Sequence, residues 1–233
     1  MFERVLRRGP KDLQRARPSG ERLLGCCRDF TVFFVSMARH KGIPARPRVG
    51  YASYFRPGWL IDHVIAEVWT RGRWRLIEPE IGDEFARDAD GGGFDPLDVP
   101  GSRFLPGPAA WRAARSGQLD PERFVVAPEV AEPYTRGWLS LRHHLVQDLA
   151  SLTKTEMLLW DQWGILDRPD VLRDAGLLDQ LALATGEPRR PLARLELWSS
   201  RDGLKVPRQV TSYSPAHPGP VAVDVGRTLG DAG

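Results

Sequence analysis

Gly25-Cys26-Cys27-Arg28-Asp29-Phe30 leads into the apolar run Phe30 to Ala38, where Phe30, Phe33, Phe34, Met37 and Ala38 stand at i, i+3, i+4, i+7 and i+8. That spacing puts one apolar stripe on a helix over residues 27–40. Gly42 stops the helix and Pro44 follows it. Beyond it, Arg46 to Phe55 predicts a strand, with Pro47 suiting its start or a sheet edge. His63 to Trp69 and Trp74 to Ile77 are β-rich runs separated by Thr70-Arg71-Gly72-Arg73, which predicts a hairpin with a short loop.

A cysteine at a helix start, a histidine on one strand and an acid on the next is the pattern of a thiol nucleophile. A helix N-terminus and a neighbouring imidazolium both favour a thiolate. Of five histidines, His40 ends the cysteine's own helix, about three turns away. His143 and His144 read as surface residues of a later helix, and His217 falls in a Pro- and Gly-rich stretch. His63 is the base that remains. With the loop centred on Thr70 to Gly72, His63 lies opposite residues 78 to 80, and directly opposed residues share a sheet face. Side chains alternate along a strand, so Glu78 or Glu80 stands beside His63 while Asp62 points to the other face. Cys26 reads as a packing residue. Glu67 shares the His63 face, either supporting the site or, more simply, as a half-buried ion-pair member. Asp29 either contacts substrate or stabilises the first helical turn, alone or with Arg28 or Arg46.

Composition narrows the setting. The chain has 233 residues, 42% of them hydrophobic, enough for one ordinary domain. Its net charge is +3 and its pI about 9.1. The basic residues are four lysines and otherwise arginines, scattered outside the stretch Arg4 to Arg22, so nucleic-acid binding is disfavoured. The two adjacent cysteines cannot staple distant segments, and no second Cys/His pair stands at zinc-ligand spacing. The N-terminus has no apolar signal core, and the apolar run Phe30 to Ala38 is too short to span a bilayer. A reduced, cytoplasmic, soluble protein without membrane contact is expected.

Residues 1–24 read as a partly ordered lead-in. Residues 82–110, with Gly91-Gly92-Gly93 and four prolines, read as an irregular segment that is either a functional cover or simply mobile. Helices are expected from about Tyr134 to Asp161 and over Val171 to Thr185, the second ended by Gly186. Trp160 and Trp163 either line a pocket or, more simply, pack against apolar neighbours, and Asp148 reads as a solvated or ion-paired helix residue. A single domain is expected over 1–214, with its motif core at about 22–82 and a helical part at about 130–190. Residues 215–233 are expected to form a flexible tail.

The combination Gly-x-Cys-Arg-Asp-Phe, an apolar helix, Gly42-Ile43-Pro44-Ala45-Arg46, the strand His63 to Glu67 and the strand Trp74 to Pro79 resembles the transglutaminase-like superfamily over roughly residues 22–82. Asp148 to Leu152 through Trp160 to Gly164 resembles the C-terminal part of a bacterial branch of that superfamily. The resemblance implies an α+β, papain-like core with the cysteine helix packed on an antiparallel β-sheet, here with additional C-terminal helices. By position it makes Cys27 the nucleophile, His63 the base and Glu78 the third member. Two residues depart from the family pattern. Glu78 stands where aspartate is usual, and Ile65 where tryptophan is frequent.

The implied reaction is acyl transfer from an amide or thioester through a Cys27 thioester. Water as the second nucleophile makes a peptidase or amidase. An amine makes a transglutaminase or amide-forming acyltransferase, with a peptide, an amide or an acyl thioester, including one on a carrier protein, as donor. No metal or organic cofactor is called for. The alternative is a catalytically silent binding module on the same fold.

Overall fold

The computed structural model describes residues 18–22, 24–82, 93–187 and 191–226. The lead-in and the glycine triplet therefore fall mostly outside the described residues. Helix α1, Cys27–His40, precedes three consecutive antiparallel strands, β1 Ala45–Ala52, β2 Leu60–Thr70 and β3 Arg73–Ile77. Arg71 and Gly72, at φ 51° and 79°, make the two-residue turn between β2 and β3, the left-handed pair that matches strand twist. Strand β4, Phe104–Pro106, adds to the far edge of β1, giving the order β3-β2-β1-β4. The expected architecture is present: α+β, with the cysteine helix on an antiparallel sheet.

One departure from regular pairing positions the site. Strand β3 pairs with β2 only from Ala66 to Thr70. On the same edge β5, Phe124–Val125, runs parallel to β2 but pairs only with Leu60 and Ile61. Residues 62–65 of β2 are left between them with no strand alongside, among the described residues. Buried backbone groups need partners, and α1 supplies them. Thr31 Oγ1 donates to the Val64 carbonyl at 2.8 Å, and the Val64 N–H donates to the Cys27 sulfur. Farther along, Val35 and Ala38 pack on Ala45, Ala66, Val68 and Ile77. The apolar stripe read from sequence is thus only partly the buried one, since Phe30 and Met37 are exposed while Val35 lies at 1% exposure.

The C-terminal part is helical. Helix α2, Gly107–Arg115, leads to α3, Gly137–Leu152, then α4, Ala175–Gly186, and α5, Leu192–Ser199. The expected helix over 134–161 is shorter at both ends. A 3-10 turn at Pro133–Thr135 precedes it, and Lys154, with φ 64°, lies just past its end. Helix α3 is buried over nearly its whole length. A Cβ on Gly107 would lie 2.6 Å from the His144 carbonyl oxygen, so glycine there lets α2 sit against the α3 backbone. Leu141, Leu145, Leu149, Trp111, Trp163 and Leu181 lie in the core around α3.

A second small sheet, β6 Asp161–Gln162, β7 Gln209–Ser212 and β8 Val221–Asp224, closes this part. Strand β8 corrects the expected flexible tail: residues 221–224 pair along β7 from Ser212 back to Gln209. Alternating Val221-Ala222-Val223 was the signal for it, obscured by the surrounding prolines and glycines. No described helix is long and apolar enough to cross a membrane.

A buried ionic cluster joins the sheet to α3. Asp148, fully buried, takes Arg48 Nε at 3.0 Å and Nη2 at 2.9 Å, and also the Val49 N–H at 2.9 Å. Arg48 also reaches Glu67 at 3.2 Å, and Arg46 Nε meets the same carboxylate at 2.5 Å. Glu67 and Asp148 are therefore ion-paired, but Asp148 is not solvated. Removing Asp148 leaves a buried guanidinium short of its partner. Asp148→Ala is expected to lower unfolding free energy by about 3–5 kcal/mol in urea titration, with Arg48→Met plus Asp148→Leu costing less than the single change.

Candidate active site

Cys27 is the first residue of α1, and Cys26 is its N-cap. Cys26 and Asp29 form a capping box. The Asp29 N–H reaches the Cys26 sulfur, and the Asp29 carboxylate takes the Cys26 N–H at 3.2 Å. Asp29 also lies 3.6 Å from Arg28. It serves the first helical turn, the simpler of the two roles expected for it.

The histidine side is built on the sheet. His63 lies at 2% exposure, and its Nε2 meets Glu78 Oε2 at 2.6 Å. Glu78 is just past the end of β3, held by its own N–H on the Pro96 carbonyl. Its second oxygen accepts the Glu80 N–H at 3.0 Å. Tyr54, absent from the sequence reading, donates its hydroxyl to Glu78 Oε2 as well. Phe55 stands edge-on to the His63 ring, centroids 4.9 Å apart. Glu80 approaches the other ring nitrogen, Nδ1, at 3.9 Å. The two acids left open by the hairpin register therefore divide the ring: Glu78 holds Nε2 and Glu80 flanks Nδ1.

Cys27, His63 and Glu80 each place one ligand atom within 4.8 Å of the others. With Nε2 bonded to Glu78, Nδ1 is the nitrogen left to face the thiol. The same three side chains form a set able to hold a metal ion, with Glu78 behind the imidazole.

Burial would push the Glu78 carboxyl up, but the hydrogen bond from His63, the His63 charge and the Tyr54 hydroxyl hold it below the usual carboxylate range. Burial raises Glu80, against the opposing influence of His63. The two thiols diverge. A hydrogen bond from Cys27, offset by burial and aided by the Asp29 and Arg28 N–H groups, pulls Cys26 down to about 7. Donating that bond, being buried and lying near the Asp62 charge all push Cys27 up. The N–H groups of the first turn reach back to the N-cap side chain, which is Cys26.

A cavity of about 640 Å³ opens beside both cysteines. Asp62, on the opposite face of β2 from His63, lines it, as do His143, His144, Trp160 and His217. His143 and His144 are buried, not surface residues as their polarity suggests, because backbone carbonyls beyond and within α3 supply partners for them. His143 Nε2 donates to the Leu159 carbonyl at 2.8 Å, and His144 Nδ1 to the Ser140 carbonyl at 2.9 Å. Burial, with His144 and Arg142 nearby, pulls His143 down to about 3, so it is neutral. Trp163 packs in the core as expected, whereas Trp160 belongs to the cavity wall.

Residues 7–79 match the transglutaminase-like superfamily. The matched segment contains Cys27, His63 and Glu78 but not the cavity walls contributed by α3 and by residues 213–220 between β7 and β8. Searches of curated proteins and of solved structures return no significant match.

Two outcomes follow for this transglutaminase-like site. Cys26→Ser keeps the helix cap but weakens the acceptor that holds the Cys27 proton. Alkylation of Cys27 by iodoacetamide, read by peptide mass, is expected to become severalfold faster at neutral pH. Glu78 has a depressed folded value, so its stabilisation is present above the unfolded value of about 4.3 and is lost as pH falls through the folded one. Denaturation curves of native protein and Glu78→Gln should therefore differ most above pH ~4.3 and converge in stronger acid.

Proposed function

We propose that the protein is a cysteine-dependent acyl-transfer enzyme acting on an amide or thioester through a Cys27 thioester. The observation that carries the reading is the His63 ring, anchored by Glu78 at Nε2 and left with Nδ1 toward Cys27. Glutamate in place of aspartate is accommodated, since the carboxylate reaches Nε2 at 2.6 Å with Tyr54 as a second donor.

In this scheme Cys27 rests as a thiol. Its proton passes to His63 Nδ1 as sulfur attacks the acyl carbonyl, so that general-base assistance replaces a preformed thiolate. Glu78 fixes the tautomer and stabilises the imidazolium. The oxyanion is assigned to the Cys27 backbone N–H at the helix start, where unpaired N–H groups gather. His63 then returns its proton to the leaving nitrogen or sulfur, leaving the thioester on Cys27. A peptide, an amide or an acyl thioester, including a carrier-bound one, fits as donor. Two free thiols side by side support a reducing, cytoplasmic setting.

A second reading makes Cys26 the nucleophile. It is favoured by the pull of that thiol down to about 7, both thiols lying on the cavity wall. One experiment separates the two. Native protein, Cys26→Ala, Cys27→Ala and His63→Ala are incubated with peptide, glutamine-donor and carrier-thioester pools, and acyl adducts are located by mass spectrometry. An adduct on Cys27 that survives Cys26→Ala and falls about 100-fold in rate in His63→Ala is expected. An adduct confined to Cys26 overturns the assignment, and no adduct on either thiol favours a catalytically silent binding module.

A further inference from the structure

Cys27 has a second acid–imidazole pair nearby, separate from His63 and Glu78. His144 Nε2 stands 3.8 Å from Asp62 Oδ2. The His144 side chain is only 3% exposed, and Nε2 is buried without a hydrogen-bond partner. The ring is locked. Its Nδ1 donates to the Ser140 carbonyl at 2.9 Å, and the Tyr51 hydroxyl lies 3.0 Å from the same nitrogen. With the Nδ1 proton fixed there, a neutral ring presents a bare lone pair at Nε2. Nε2 and the Asp62 carboxylate are then two acceptors facing each other, an arrangement that calls for a hydrogen donor between them.

Asp62 also has an effect that the thiol chemistry does not use. Its charge disfavours the Cys27 thiolate, so it works against nucleophile activation. A carboxylate beside a reactive sulfur makes chemical sense if it binds something else. The cavity shows what kind of group that is. Asp62 and Glu132 line it, Tyr134, Trp160 and Tyr213 form aromatic wall, and no lysine or arginine lines it, although arginine is abundant in the chain. Among the described residues, acids with aromatic faces and no lysine or arginine favour a cationic or N–H-bearing group and disfavour phosphate or carboxylate.

We propose that the Asp62–His144 pair is a second base of this site, binding and deprotonating the nucleophile that resolves the Cys27 thioester, and that this nucleophile is a primary amine with an aromatic or aliphatic body. The inference rests on the thioester reading above. The amine enters as its ammonium form, drawn by Asp62 and Glu132, and releases one proton to solvent. Its nitrogen then donates an N–H to His144 Nε2 and attacks the thioester carbonyl. As the C–N bond forms, Nε2 takes that proton. The C–S bond breaks and the electron pair leaves with the Cys27 sulfur. The thiolate and the His144 imidazolium that remain are neutralised through solvent in the open cavity, and the amide departs.

The test separates the two half-reactions in the full chain, with 4-nitrophenyl acetate as acyl donor and phenethylamine as acceptor. The 4-nitrophenolate burst reads acylation, and peptide mass places the acetyl group on Cys27. Loss of that adduct and appearance of N-acetylphenethylamine read transfer. In native protein, amine should speed loss of the adduct with saturation. His144→Gln should lower the amine-dependent rate about 100-fold, with the burst rate within threefold of native. Asp62→Asn should lose amine transfer similarly, yet alkylate at Cys27 at lower pH than native. A damaged fold produces no such pair of opposite changes. Amine-dependent resolution at native rates in both variants overturns the proposal, as does a native adduct resolved by water alone at the same rate with or without amine. A native protein that forms no Cys27 adduct removes the thioester reading itself, and this inference with it.

Discussion

The hydrogen bonds at Val64 hold this structure's site together. Strand β2 is paired on one edge by β1 along most of its length, but on the other edge β3 and β5 leave an opening at residues 62–65. A strand edge in a buried setting must be satisfied. Here the helix start does it, through Thr31 on the carbonyl and Cys27 on the N–H. One local need therefore sets the height and phase of α1 relative to His63. Cys27 is placed by backbone pairing and not by side-chain packing alone, and the adjacent residues Asp62 and His63 project to opposite faces of the same opening.

Two polar networks keep the surroundings of that opening rigid. Glu78 is fixed from several directions, by His63, Tyr54, the Glu80 N–H and the Pro96 carbonyl. Phe94 and Val99 pack in one cluster with Tyr54 and Ile65. Ile65, where the family often has tryptophan, is fully buried in that cluster. The Arg48–Asp148–Glu67 cluster joins β1 and β2 to α3. Such a buried cluster is weak as a source of stability but specific in geometry, and it fixes the helix that carries His143 and His144.

The legible part of the chain was the part governed by local rules. Gly42 and Pro44 after the apolar run, the Arg71-Gly72 turn and strand alternation together place Cys27, His63 and the two glutamates, and the register observed is the one that alternation requires. What escaped depends on contacts distant in sequence. Nothing local says that the helix N–H groups serve Cys26 and not Cys27, because that follows from which residue becomes the cap. His143 and His144 read as surface, yet they are buried because the Leu159 and Ser140 carbonyls meet them, and Asp148, read as solvated or ion-paired, is buried against Arg48. Tyr54 was hidden for a similar reason: its partner Glu78 lies across the site from it. Strand β8 was obscured by the prolines beside it.

The cavity wall has a consequence for biosynthesis. Its boundary is assembled from Cys26 near one end of the chain and from residues as late as Pro220 near the other. Strand β2 and α1 can pair as soon as the first eighty residues are made, but the thiol then faces solvent on that side. Contacts of such sequence separation form late in folding. During synthesis, from one terminus to the other, a nascent chain carries Cys27, His63 and Glu78 before it carries the residues that line the far side of the cavity. The far wall of the cavity is thus acquired after the cluster of Cys27, His63 and Glu78.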